Sequence, residues 1–417
     1  MNPYGIAILT TLLVSYGLDL VSQLLNLKAL REELPPEFEG LCDTEEYRRS
    51  QEYTRVGTRF ECIRDSFDLS ILLAFWMSGG FAVLDVLVRD WTDGWPGGDV
   101  GTGLVYIGVL LGARMVLGLP FSLYSTFVIE ERFGFNKTTL RTFVADRIKG
   151  VVLAALLGGL LLGLLLLLLA GSELAWIYCW ISVTAFGLLV QLILPAWILP
   201  LFHRFEPLQE GELREAILGY ARSVRFPIEK IFVIDGSRRS SKSNAFFTGV
   251  GREKRLALFD TLVARHTVPE LVAVVAHEVG HYKRRHVLKG MALGALHSGL
   301  LFFLLSIFMR HEGLFEAFFV AEVSVYAGLV FFGLLYSPIE LLLSIAFQAY
   351  SRKNEYEADR FAAETIADAE AMAVALKKLS VDNLSNLTPH PFHVFLHHSH
   401  PPVLARIGKL GKLGTVT

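Results

Sequence analysis

Seven long apolar runs restrict what this chain can become more than any other feature. They cover residues 5–26, 67–88, 102–127, 150–170, 174–200, 287–309 and 320–349. Each is long enough to cross a hydrocarbon layer about 30 Å thick as a helix rising about 1.5 Å per residue. With 53% hydrophobic residues and a mean hydropathy of +0.45, the chain is too apolar for a soluble enzyme of its length. The first run is not read as a cleaved signal: residues 1–7 hold no Lys or Arg, and the run exceeds a signal's apolar core. The expected fold class is mainly α and integral to a membrane.

Charge sets the expected topology. Between runs one and two lie Lys28, Arg31, Arg48, Arg49, Arg55, Arg59 and Arg64; between three and four lie Arg132, Lys137, Arg141, Arg147 and Lys149. The opposite loops hold little beyond Arg89 and Arg310. The positive-inside rule then puts the N-terminus outside or in a lumen, and the C-terminus in the cytoplasm. A net charge of −2 gives no reason to expect nucleic acid. Cys42, Cys62 and Cys179 are too few for a disulfide framework and lack metal-site spacing.

Polar residues interrupt the runs: Asp19, Asp85, Arg114, Gln191, His297 and Glu340. At membrane depth such groups seldom face lipid. They read either as ion pairs that lock helices together or as the lining of a water-filled space, and the number of runs involved favours the second. Gly108 with Gly112 and Gly159 with Gly163 have the spacing of close helix contacts.

Residues 201–286 are the first long polar stretch. An amphipathic helix is expected over 210–222, with strands over 230–235, 243–249 and 255–260, the last two joined by 249–254. Directly after them comes His277-Glu278-Val279-Gly280-His281, an H-E-x-x-H pattern. Positions four apart share one helix face, so both imidazoles can aim at one metal ion while Glu278 sits where it can hold a water. A catalytic zinc takes three protein ligands and keeps a fourth position for water. One known extension of the pattern puts a third His six residues after the second; Val287 stands there, and His286 is off register by one and reads as an interface residue. A Glu from a later helix is the other solution. Glu355 is the preferred candidate, Asp359 follows on the same face as a hydrogen-bond acceptor for a ligand His, and Glu357 is expected to be solvated. The five histidines within 390–400 remain competitors for the third place.

This constellation implies peptide hydrolysis, with one zinc activating a water and Glu278 moving its proton to the leaving amine. His400 and Arg406 are candidate stabilisers of the tetrahedral intermediate, or ties for the C-terminal segment. The stretch around Asn244 and Ala245 is a candidate for pairing with an extended peptide through a free strand edge.

Taken together, these residues closely resemble the type I CAAX prenyl proteases, integral-membrane zinc metalloproteases of the gluzincin class. The matching pieces are 120–137, 198–202, 243–245, 277–281, 355–359 and 400–406, in family order over nearly the whole chain. The resemblance implies seven transmembrane helices enclosing a chamber, with a small α/β protease domain on the cytoplasmic side. It implies zinc ligands at His277, His281 and Glu355, a catalytic Glu278, and support from Asn244, His400 and Arg406. It implies a peptide or prenylated protein substrate that loses its last three residues. The expected division is 1–200 for spans one to five, 201–286 and 350–417 for the two parts of the protease domain, and 287–349 for spans six and seven. Short extramembrane additions and a tail without a retention signal suit a compact, bacterial-type member, so the bacterial inner membrane and the endoplasmic reticulum both stand as expected locations. Lipid is the expected surrounding; the oligomeric state is left open and a monomer suffices. Two other readings compete: a membrane-protein quality-control zinc protease, and a non-enzymatic channel, transporter or structural zinc protein. An intact Glu278 argues against the last, because a structural site closes its fourth position with protein and needs no base.

Overall fold

The computed structural model describes every residue except 173, 229, 249–254 and 415–417. The expected connection 249–254 and the end of the tail lie outside the described residues.

Five continuous helical stretches are long and apolar enough to cross a membrane: Pro3–Lys28, Gly98–Glu130, Leu140–Leu169, Ala175–Phe202 and His286–Phe308. Two further spans are bent pairs, Thr44–Met77 with Gly80–Thr92 at 67° and Val325–Leu335 with Ser337–Thr365 at 55°. Counting each pair once gives the seven expected spans. The first bend falls at Gly79, whose φ of 76° suits a residue without a side chain. The second precedes Pro338, which sits in the first turn of its helix, where a missing N–H costs nothing.

The charged stretch after run one is not a separate element. It begins a helix capped by Asp43 and Glu46 in a reciprocal box, and that helix continues unbroken to Met77. At 34 residues it is about 50 Å long, so it reaches well beyond the hydrocarbon layer. In the same way, the helix from Ser337 runs past the last apolar residues to Thr365 and carries Glu355 and Asp359.

Consecutive spans touch in chain order, and both halves of span seven touch span one, so the ring closes. Contacts across the ring run from Val325–Leu335 to spans three and four, at the end of the bundle where Tyr326 meets Tyr106. That end holds the main apolar core: Trp76, Phe81, Tyr106, Leu166, Phe315, Phe318 and Phe331 are buried there, and the Phe318 and Phe331 rings stack at 4.1 Å. Outward residues such as Leu160 and Trp197, 74% and 76% exposed, face lipid.

The glycine expectation needs correction. A Cβ on Gly108, Gly112 or Gly159 would meet nothing within 4 Å, and one on Gly163 only Leu104 at 3.7 Å. Spacing alone selected them, but the close approaches lie nearer the plugged end, as at Gly103, where a Cβ would come within 2.8 Å of Tyr326. The polar residues divide between the two readings. Asp85 accepts from Arg89 Nε at 2.9 Å and from the Tyr326 hydroxyl at 2.6 Å, tying spans two and seven. His297 pairs with Glu340 at 2.9 Å and Asp19 with His397 at 3.5 Å, while Glu340 and Asp19 stay half exposed. Arg114 is exposed.

The polar part contains a four-stranded sheet in the order β1-β2-β4-β3: β1 Phe205–Pro207, β2 Lys230–Ile234, β3 Ala245–Thr248 and β4 Arg255–Phe259. Strands β2 and β4 are parallel with Phe232 opposite Ala257; the other two pairings are antiparallel. The sequence reading did not include β1. A second apolar core joins the sheet to Glu212–Ser223 and Val268–Lys283 through Ile217, Leu256, Leu258, Leu271 and Val275. The motif helix is thus held on a packed base.

Candidate metal centre

The motif lies on Val268–Lys283, which starts with a Thr267–Glu270 capping box and Pro269 in its first turn. Glu270 is further held by Lys378 at 2.6 Å. Residues Leu271–Gly280 are almost wholly buried, so the helix cannot turn about its axis without losing its core. It crosses Ser337–Thr365 where Gly280 meets Ala358: a Cβ on Gly280 would lie 3.0 Å from the Ala358 Cα and carbonyl oxygen. A larger residue would force the two backbones apart, and the crossing brings the two sets of polar side chains together.

His277 Nε2 and His281 Nε2 lie 3.1 Å apart. Glu355 Oε2 is 3.4 Å from the first, and Glu355 Oε1 is 3.2 Å from the second. One ligand atom from each of the three falls within 4.8 Å of the others. Of the five later histidines, only His400 reaches this cluster, with Nδ1 2.8 Å from Glu355 Oε2. His390 caps its own helix by accepting from the Phe392 amide, and His393 bonds Ser22 at 2.9 Å.

These groups fit a divalent metal. The Glu355 carboxylate is buried and faces the Nε2 atoms of His277 and His281 at 3.4 and 3.2 Å. Burial works to keep the His277 ring neutral, yet Asp359 and Glu355 outweigh it and raise its pKa to about 9. The pocket therefore holds negative charge that a cation would neutralise. Two imidazoles and one carboxylate are the donor set of a hydrolytic zinc site with a position left open.

Glu278 stands beside this cluster and makes no hydrogen bond or ion pair among the described residues. Burial pushes its carboxyl pKa upward, and the neighbouring imidazoles of His277 and His281 partly oppose the shift. Behind His277, Nδ1 is 2.9 Å from Asp359 Oδ1, and Arg406 grips the Asp359 carboxylate through Nε at 2.8 Å and Nη2 at 2.5 Å. Arg406 Nη1 also lies 3.5 Å from Glu355 Oε2. This ion pair is buried, so Arg406→Ala is expected to lower stability by about 3–5 kcal/mol by leaving Asp359 unpaired. A clear fall in melting temperature would bear this out; an unchanged one would contradict it.

Glu357, expected to be solvated, instead accepts from buried His286 at 3.2 Å. The sequence reading did not foresee this link. It rests on a turn between two helices, not on a spacing within one.

Asn244 is exposed at the start of β3, with its Oδ1 accepting from the Ala245 amide at 2.8 Å. Asn244, Ser243, His398, His400 and Arg406 line a cavity of about 710 Å³ that reaches across to Tyr53 and Glu61. Supports for this wall were also missed. Asn383 accepts from the Ser243 amide at 3.0 Å and donates to its carbonyl at 3.2 Å. Lys242 donates to Tyr53 and to Glu130 at 2.8 and 3.2 Å. Ser241 donates from its amide to the Phe135 carbonyl. Stretch 120–137 thus grips the backbone leading into Asn244. No local sequence pattern signals these contacts, which join parts of the chain more than a hundred residues apart.

Comparisons with known proteins give the family of the chain. Residues 23–204 match the family described as CAAX prenyl protease N-terminal, five membrane helices, and residues 207–413 match Peptidase family M48. The chain is 36% identical to a probable CAAX prenyl protease 1 of Schizosaccharomyces pombe over 91% of its length and 82% of that protein's. It is 33% identical to CAAX prenyl protease 1 of Saccharomyces cerevisiae, covering 92% and 89%. The crystal structure of S. mikatae Ste24p superposes with a TM-score of 0.92 at 31% identity, covering 98% of this chain and 99% of that one. The channel and structural-protein readings are set aside: this is a multi-pass membrane metalloprotease. Its chain belongs to the CAAX prenyl protease family of M48 peptidases.

Proposed function

We propose that the protein uses one zinc ion, held by His277, His281 and Glu355, to remove the C-terminal tripeptide from prenylated CAAX proteins or peptides at the cytoplasmic face of its membrane. The observation that carries this reading is the meeting of these three side chains beside Glu278, next to the Asn244 cavity, whose wall includes the His400 and Arg406 that reach Glu355. The names of the relatives, CAAX prenyl protease 1, support the substrate class. The basic loops between spans one and two and between three and four support the orientation.

Zinc bound there would polarise the scissile carbonyl and lower the pKa of a water. Glu278, unbonded, accepts that water's proton and delivers it to the leaving amide nitrogen. Asp359 accepts a hydrogen bond from Nδ1–H of His277, which keeps the proton on Nδ1 and leaves the Nε2 lone pair for the metal, and Arg406 fixes Asp359 in turn. His400 is 65% exposed and lines the cavity, with Nδ1 2.8 Å from Glu355 Oε2; as an imidazolium it would donate its second N–H to the developing oxyanion. β3 is one of the two edge strands of the sheet and can align an extended peptide by backbone pairing. Asn244, whose Oδ1 is already engaged, keeps its amide N–H groups for a substrate carbonyl. Residues 201–286 and 350–417 together form the protease part, inserted around spans six and seven.

The test compares purified protein on a farnesylated CAAX peptide, the same peptide without the prenyl group, and a misfolded membrane protein. The farnesylated peptide should lose its last three residues at a rate at least about tenfold above the bare peptide, the discrimination that about 1.4 kcal/mol of apolar contact provides. Preferred degradation of the misfolded protein would favour the quality-control reading instead.

A further inference from the structure

His281 turns Nε2 toward Glu355 and His277. Its other ring nitrogen, Nδ1, lies 3.0 Å from Nδ1 of His286. Such a contact requires one nitrogen to carry a proton and the other a lone pair. His286 Nε2 is 3.2 Å from Glu357 Oε2, and an ionised carboxylate only accepts. For neutral rings, one arrangement of protons satisfies both contacts of His286. His286 donates from Nε2 to Glu357, its Nδ1 accepts from His281 Nδ1, and His281 Nε2 is left with a lone pair facing the metal position.

The backbone is bent to make this contact. On an uninterrupted helix, a residue five positions after His281 would point about 140° away from it. The motif helix ends at Lys283, and Arg285 takes a φ of 57°, a left-handed conformation that L side chains rarely adopt, before the next helix begins at His286. That break returns His286 to the side of His281, where it is buried.

We propose that His286, supported by Glu357, is a positioning residue that fixes His281 in its metal-binding tautomer. Each metal-facing imidazole then has a carboxylate behind it: His277 directly through Asp359, His281 through the His286 ring. The inference rests on His281 being a zinc ligand.

The test is zinc affinity by chelator competition, together with the melting temperature of zinc-stripped protein, for full-length wild type, His281→Ala, His286→Leu and His286→Asn. Asn places an oxygen where His286 Nδ1 stands and keeps the acceptor; Leu removes it. His286→Leu should weaken zinc binding by about 10–100-fold, His286→Asn should stay close to wild type, and the stripped proteins should melt alike. Wild-type affinity in His286→Leu, or equal weakening in both His286 variants, would overturn the inference. Undiminished affinity in His281→Ala would instead remove the ligand assignment beneath it. Should His286→Leu fail to fold, Glu357→Leu against Glu357→Gln carries the same contrast, since Gln keeps an acceptor for His286. Weaker zinc binding in the Leu variant alone supports the proposal, and equal affinities overturn it.

Discussion

Glu278→Gln is expected to lower kcat by about 10³-fold with little change in KM or zinc content. Gln has the shape of Glu but cannot take a proton from water. The wild-type side chain makes no hydrogen bond or ion pair among the described residues, so the substitution breaks no structural contact. The effect should therefore lie in the chemical step. The measurement is steady-state cleavage of a prenylated peptide, with zinc determined on the same preparation. A variant that retains zinc and cleaves at the wild-type rate would remove Glu278 from the proton transfer.

Glu355→Ala should abolish both zinc retention and cleavage. It removes one of three ligands and leaves the two imidazole nitrogens, 3.1 Å apart, without the carboxylate that neutralises the ion. The loss in affinity should exceed the roughly 10–100-fold typical of a supporting hydrogen bond. A chelator should inactivate the wild type, and added zinc should restore it; the variant should not recover. Zinc-dependent activity surviving in Glu355→Ala would place the third ligand elsewhere, His400 being the nearest histidine of the C-terminal cluster.

Much of this was legible in the sequence because the signals are local or periodic. A run of about 22 apolar residues has few fates other than a membrane span. His277 and His281 share a helix face by their spacing, as do Glu355 and Asp359. The bends at Gly79 and before Pro338 were not read, since a glycine or proline in an apolar run marks a bend only when packing on both sides demands it. β1 has three residues, one of them Pro207, and draws its stability from pairing with β2, not from its own composition. Gly280 stands inside the motif, but its need to be glycine comes from Ala358, seventy-eight residues away in sequence. The same holds for His286 with Glu357 and for Asn383 with Ser243. Each depends on tertiary approach, to which no window along the chain responds.

The order of the polar contacts also explains why the centre sits at the end of the bundle. The aromatic core closes the far end of the ring. The near end is held by helices that extend out of the membrane, Thr44–Met77 and Ser337–Thr365. The second of these carries one ligand and its supporting carboxylate. The first contributes Tyr53, Thr58 and Glu61 to the cavity wall. On the proposed reading, a prenyl chain and a peptide would meet where apolar spans give way to a polar sheet, a border that suits a substrate with one greasy end and one extended backbone.

Anomalous scattering from crystals, recorded on both sides of the zinc edge, tests the central claim most directly. The account predicts a single strong peak bounded by His277, His281 and Glu355, with no fourth protein ligand and with Glu278 facing the open position. A peak at another place, or a fourth side chain completing the coordination, would contradict it.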